Sequence, residues 1–492
     1  MTTVQPIDEA RSFEANESFF SCTDERGVIL MANEVFRWVS GYDEGELVGH
    51  PHSVIRHPDM PRAIFRLMWT EVRAGRSVAT YVKNLAKDGR FYWVLAMVTP
   101  AHGGYLSVRI KPTSHILPQI VVLYREMRAA EVEMENAGDA EGGIYRATTL
   151  LSDWVRRSGF PDYTAMMQMS LLRTELESRD RVMGELSGPL FPRIGHESHR
   201  YRGLDAVLRD AYANGVEAHG TMRALHAQVE ALMGIVTQFQ ARMRGLASIT
   251  DDLRAAGLRA AATAGQSGMP APDIGVTVHA LSCLAKEYAT ITRDFERQVE
   301  TAADKVGRIA FALGLARVHF EMAVLFFHEM LTERRECKLP VDSTALDVRL
   351  SKMDWLREAV ETSGVQAADS LAALRGDLAG LAHRGRAFIG TVDDLFARMA
   401  SDLLDTLAGN PSSRVIGELQ TGVEATRWVF ADVLRLSDSL VARSATAPML
   451  AQDFRRLGEK MEMSARTIWM AKNRREDETP GPTAADPVPA SP

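Results

Sequence analysis

The residues that first invite a chemical reading are two groups of histidines and three cysteines. His196-Glu-Ser-His199 sets two imidazoles one helical turn apart with Glu197 between them, a spacing that suits metal ligation. The group follows the Gly- and Pro-rich stretch Ser187–Pro192 and has no further ligand nearby in sequence, so these residues read as surface side chains. His319, Glu321 and His328 do not share a clean helical face and are expected at a core edge. Cys22, Cys283 and Cys337 lie far apart with no CxxC pair, which excludes a zinc knuckle or a disulfide framework and suits a reducing cytosol. The chain carries no GxSxG, no P-loop and no HExxH, and no nucleophile has a base at a motif-like spacing. The expectation is that the protein is not an enzyme.

The bulk numbers point the same way. The 492 residues are 46% hydrophobic and 25% charged, with a net charge of −7. This is globular composition, without the basic stripe of a nucleic-acid binder. The polar N-terminus lacks the apolar segment of a signal peptide. Ile309 to Leu331 is apolar but is broken by Arg317, His319, Glu321 and His328, so it is read as a buried helix rather than a membrane span. A cytoplasmic location follows as the expectation.

Two kinds of pattern then divide the chain. Up to residue 115, strand-like runs alternate with turns: Ser18–Thr23, Val28–Ala32, Thr80–Lys87, Arg90–Pro100 and Tyr105–Lys111. Asp88-Gly89 is a hairpin signal, and Pro61 marks a helix start. These runs predict an α+β domain with a five-stranded antiparallel sheet and small helices. Beyond it the period is helical. Ile120, Leu123, Met127, Ala130 and Met134 follow a/d spacing across a linker, 116–144. The alternation of threes and fours from Met222 to Leu253 is interrupted at Gly265–Asp273 and resumes towards Leu331, which predicts a helical hairpin or coiled coil within 145–335. A further helical region is expected over 340–474, and a disordered tail over 475–492.

The N-terminal residues resemble a known family. Asn33-Glu-Val-Phe36, Ser40-Gly-Tyr42, Arg56-His-Pro-Asp-Met-Pro61, Lys83-Asn84, Lys87-Asp-Gly89, Tyr92-Trp-Val94 and Gly104-Tyr-Leu-Ser-Val-Arg109 resemble the PAS domain of aerotaxis receptors over about residues 12–115. That resemblance implies non-covalent FAD and a redox-sensing role, with Asn33, His52, Arg56, His57, Asp59 and Asn84 as cofactor-binding candidates. Arg56 would offer a rigid fork of donors, and His57, Asp59 and Asn84 would meet the polar edge of a flavin ring. Bland roles stand beside these: Asp59 as a helix cap, Asn33 bonding a loop, and Phe65, Trp69 and Trp93 as core. Haem held by His52 or His57 is a second cofactor reading. The sequence departs from the family at Val78, where tryptophan is usual, at Thr80 for glycine and at Ser53 for asparagine.

Leu246-Ala247, Thr250, Leu253, Ala261-Ala262 and Ile274–Ala285 are similar to the signalling tip of methyl-accepting chemotaxis proteins. The tip is degenerate: Asp251 and Gly257 replace asparagines, and Arg259, Gln266 and Ala280 replace glutamates. The resemblance implies a chemotaxis histidine kinase and its coupling protein as partners, although the polar groups that would meet them have changed. The a/d stripes imply a homodimer. The whole reads as a cytoplasmic redox or oxygen sensor whose helices signal to a protein partner. The alternative is a cofactor-free scaffold built on the same domain.

Overall fold

In the computed structural model the structure describes residues 4–185 except 102, residues 190–192, most of 205–241, residue 255, residues 271–336 and much of 348–363, with isolated positions up to 435. The chain divides into two compact units, residues 1–224 with 311–364 and 454–492, and residues 225–310 with 365–453. In the second unit the described residues are helical, with Val229, Met233, Val299 and Val306 buried. The chemotaxis-like tip falls largely outside the described residues, which resume where a long helix begins at Ala271.

The first unit is built on five strands. They are β1 Phe19–Asp24, β2 Ile29–Ala32, β3 Val78–Leu85, β4 Phe91–Ala101 and β5 Gly104–Ile110. All pair antiparallel, as the sequence predicts, and their order in the sheet is β2-β1-β5-β4-β3. The β3–β4 turn needs Gly89: its φ is +91°, and a Cβ there would stand 2.5 Å from the Gln5 carbonyl oxygen. Between β2 and β3 lie α1 Glu34–Ser40, α2 Glu44–Leu47, a 3₁₀ turn His52–Ile55 and α3 Arg62–Arg73.

The strand pleat sends alternate residues to opposite faces. On β5, Tyr105, Ser107 and Arg109 face α3, while Leu106, Val108 and Ile110 face away. The outward face is not left to solvent. It meets α4 Ile116–Asn136, α6 Tyr163–Met166 with a π-turn to Leu171, α7 Leu172–Glu185 and the end of α8 Ala271–Arg335, while α5 Ala140–Arg157 packs on α3 and α4. Phe20 packs edge-on against Phe326 at 5.5 Å, and Thr99 Oγ1 lies 3.4 Å from His319 Nε2. The apolar stretch near Ile309–Leu331 is therefore a core helix: by length and composition it could cross a membrane, yet 94% of its most apolar window is buried.

Two details differ from the sequence reading. At the start of the region expected to be helical over 145–335 the chain is broken between α5 and α6, at Gly159, which takes φ +89°, and at Pro161, which cannot continue a helix. The a/d stripe on α4 is satisfied within the chain, with Ile120, Leu123, Met127 and Ala130 buried. Gly143 of α5 lets the two helices approach so closely that a Cβ would lie 3.0 Å from the Glu131 carbonyl oxygen. Spacing reveals that a stripe needs a partner, not which segment supplies it.

Candidate functional site

Between α3 and the inward face of the sheet lies a cavity of about 280 Å³. Its floor is Val82, Ala96 and Val98, and one wall is the α3 face carrying Phe65, Met68 and Trp69. Phe65 and Trp69, expected as core, line this space because the helix does not close completely onto the sheet. Trp93 points outward and tilts against Tyr124 of α4 at 6.1 Å.

Three of the six sequence-predicted residues, His52, Arg56 and Asn84, come together on the cavity. The 3₁₀ turn after Pro51 presents His52, whose backbone N–H donates to the Gly27 carbonyl at 2.9 Å. Its ring stacks on Phe36, and Phe36 stacks on Phe19. Arg56 lies over the Phe65 ring at 4.2 Å and donates to the Met60 carbonyl; burial lowers its pKa. Asn84 is buried on β3, and its Nδ2 has no hydrogen-bond partner among the described residues.

The other three hold neighbouring structure. Asn33 caps α1, its Oδ1 accepting from the N–H groups of Phe36 and Phe20. His57 is buried and accepts from the Asp59 N–H through Nδ1; burial, and then Lys83, depress its pKa. Burial alone would raise the Asp59 pKa, but the Lys83 ammonium, 2.7 Å away, outweighs it and holds the carboxyl below its usual range. Asp59 and Lys83 line a separate groove of about 500 Å³ beside α4.

The residue that the sequence reading missed is Arg109. It is 3% exposed, lines the cavity, and among the described residues has no carboxylate within ion-pair distance. Its guanidinium donates to Ser21 Oγ at 3.1 Å, to the Ser107 carbonyl at 3.2 Å and to His52 Nε2. It also lies 5.0 Å above the Phe36 ring. Burial lowers its pKa to about 10, so it remains a cation at neutral pH. Burial, and then this cation, push His52 down to about 3, leaving a neutral imidazole whose Nε2 accepts. Ser107 Oγ, beside it, also lacks a partner among the described residues. A legible signal was present: one face of β5 reads Leu, Val, Ile and the other Tyr, Ser, Arg.

The cavity thus offers unclaimed donors from Asn84 and Ser107, an uncompensated cation and apolar walls. This set fits a flat apolar molecule with an acceptor-rich, electron-withdrawing edge.

Residues 29–105 match the family model of the PAS fold, and the N-terminal domain has that fold. The chain is 34% identical over 143 residues to the aerotaxis receptor of Escherichia coli (strain K12), a match covering 28% of this chain and 27% of the receptor. The chain therefore spans about a quarter of that relative's length. Among solved structures, a PAS domain from Colwellia psychrerythraea is 22% identical, covering 19% of this chain and 86% of that chain, with a TM-score of 0.17. A fungal LOV domain photoreceptor is 20% identical, covering 21% of this chain and 79% of that one, with a TM-score of 0.18.

Proposed function

We propose that this chain is a signal-transduction protein whose PAS cavity holds a flavin, FAD, and whose helices relay the redox state of that flavin to a protein partner. The observation that carries the reading is the buried Arg109, which among the described residues has no carboxylate, beside donors of Asn84 and Ser107 that have no partner among them either. Support also comes from the 34% identity to an aerotaxis receptor over the N-terminal region. Asn84, Ser107 and Arg109 would hold the polar edge of the ring, and Phe65 and Trp69 would cover its apolar body. When bound, the flavin supplies one- and two-electron redox chemistry. Arg109 favours negative charge at its end of the cavity, because an uncompensated cation in a low-dielectric site acts strongly. Neutral His52 offers no second charge there and orients the Arg109 fork.

On this reading the protein acts in the cytoplasm, has no enzymatic activity of its own, and works as a homodimer through the heptad pattern of residues 222–253. Its output is a protein, with the chemotaxis histidine kinase and coupling protein as the class to try first.

The test is an absorption spectrum of freshly purified protein before and after reduction, with the heat-released supernatant assayed for FAD. A flavin spectrum that bleaches on reduction supports the reading. A colourless protein that refuses FAD on reconstitution overturns it and leaves a cofactor-free scaffold. The small cavity volume, at the lower limit for ligand sites, favours that second reading.

A further inference from the structure

Helix α3 forms a wall of the cavity yet begins without a cap of its own. Pro61 stands at its N-cap position and makes no side-chain cap hydrogen bond. The first N–H groups of a helix have no partner within it and must find one elsewhere. Here the partner comes from some seventy residues downstream. Glu131, fully buried on α4, accepts from the Arg62 N–H and the Ala63 N–H, both at 2.9 Å, one with each carboxylate oxygen. The negative group also lies at the positive end of the α3 dipole. Further ties run the same way, Arg62 to Glu135 at 3.0 Å and Arg66 to Glu141 through two bonds of 2.8 and 2.7 Å. These outer pairs are exposed and weak. Glu131 is the buried one.

We propose that Glu131 is the coupling residue of the sensor: by capping α3 from α4 it joins the position of the cavity wall and the position of the first output helix into one equilibrium. Phe65, Met68 and Trp69 lie on α3 within the three turns that follow the cap, so a molecule entering the cavity bears on the helix that Glu131 holds. α4 responds because the same carboxylate is anchored to its own helix through Arg128 at 3.2 Å. Coupling of this kind is reciprocal, so a disturbance of α4 must also alter the wall. The proposal stands on packing alone and does not need the occupant to be a flavin.

The experiment is hydrogen exchange on the full chain, read for the amides of residues 62–73 and 116–136. Trp69→Ala disturbs the wall without any ligand. In the wild-type background it should speed exchange in both helices. In the Glu131→Ala background it should speed exchange in α3 only. Glu131→Ala by itself should speed opening of the α3 N-terminus roughly threefold to thirtyfold, the range for loss of a cap. Should Glu131→Ala fail to fold, Glu131→Gln keeps one acceptor oxygen and should show a partial version of the same split. Adding FAD supplies a second arm: protection of both helices in the wild type, and of α3 alone in the variant. The proposal is overturned if α4 answers Trp69→Ala equally with and without Glu131, or if it never answers. Absence of FAD binding would remove the flavin reading while the Trp69 arm still decides the coupling.

Discussion

The sheet of the PAS domain has a buried arginine on each face, and the two are treated oppositely. On the outward side Arg179 of α7 is 2% exposed and meets Glu321 of α8 through both terminal guanidinium nitrogens, while Ser18 Oγ accepts from Nη2 and the Ala15 carbonyl from Nε. On the inward side Arg109 has hydroxyl, carbonyl and imidazole partners but, among the described residues, no counter-charge. Burying an unmatched charge costs several kcal/mol, so a fold keeps one only where something other than stability requires it. Matched charge on the helix-covered face marks structure. Unmatched charge beside a cavity is what the proposed ligand site rests on.

Breaking that contrast should have the largest effect on the outward face. Glu321→Ala strands Arg179 in the core and should lower stability by about 3–5 kcal/mol in denaturant unfolding. Arg109→Met, measured without ligand, should cost less, about 1–2 kcal/mol, because no ion pair is lost and only the hydrogen bonds to Ser21, Ser107 and His52 go. Equal losses from the two variants would erase the distinction.

Histidines sharpen it next. His319 is buried on the outward face, and burial holds its pKa near 4, below the ordinary value of 6.5. The folded state therefore keeps it neutral while the unfolded chain takes up a proton. Its contribution is complete above about pH 6.5 and is lost as pH falls towards 4, on the order of 3 kcal/mol in all. Unfolding His319→Asn and the wild type in urea at pH 7 and pH 4.5 should show a smaller acid loss in the variant.

Asn33→Ala tests the inward side without touching the cavity. Two N–H acceptances vanish, and a loss of about 1–2 kcal/mol is expected in thermal or urea unfolding. The smallest effect belongs to Asp59→Asn. Its side chain is 65% exposed beside Lys83, so the loss should stay below about 1 kcal/mol, and a double-mutant cycle with Lys83→Met would measure it.

The strands were legible because each carries a local signal: alternation along β5, the Asp88-Gly89 turn and the helix start at Pro61. Half of the candidate residues read from motif likeness, His52, Arg56 and Asn84, do line the cavity. Arg109 stood within a quoted motif, yet its role depends on what is missing around it, and no spacing records an absent carboxylate. Glu131 and Arg179 were invisible for another reason. Their partners lie 68 and 142 positions away, and a helical period says which face is buried but not against what. The stripe on α4 shows the same limit, since its apolar residues find their cover within the chain.

The pairing of Thr99 with His319, 220 positions apart, sets a condition on how the molecule is made. At about 5–20 residues per second, the ribosome finishes β5 roughly ten to forty seconds before it delivers the segment of α8 that covers Phe20 and Thr99. For that interval α4, α6 and α7 can cover their part of the outward face, but the patch around Phe20 and Thr99 stays bare. An expression fragment that ends soon after residue 115 would hold that unfinished surface permanently and should aggregate where the full chain does not.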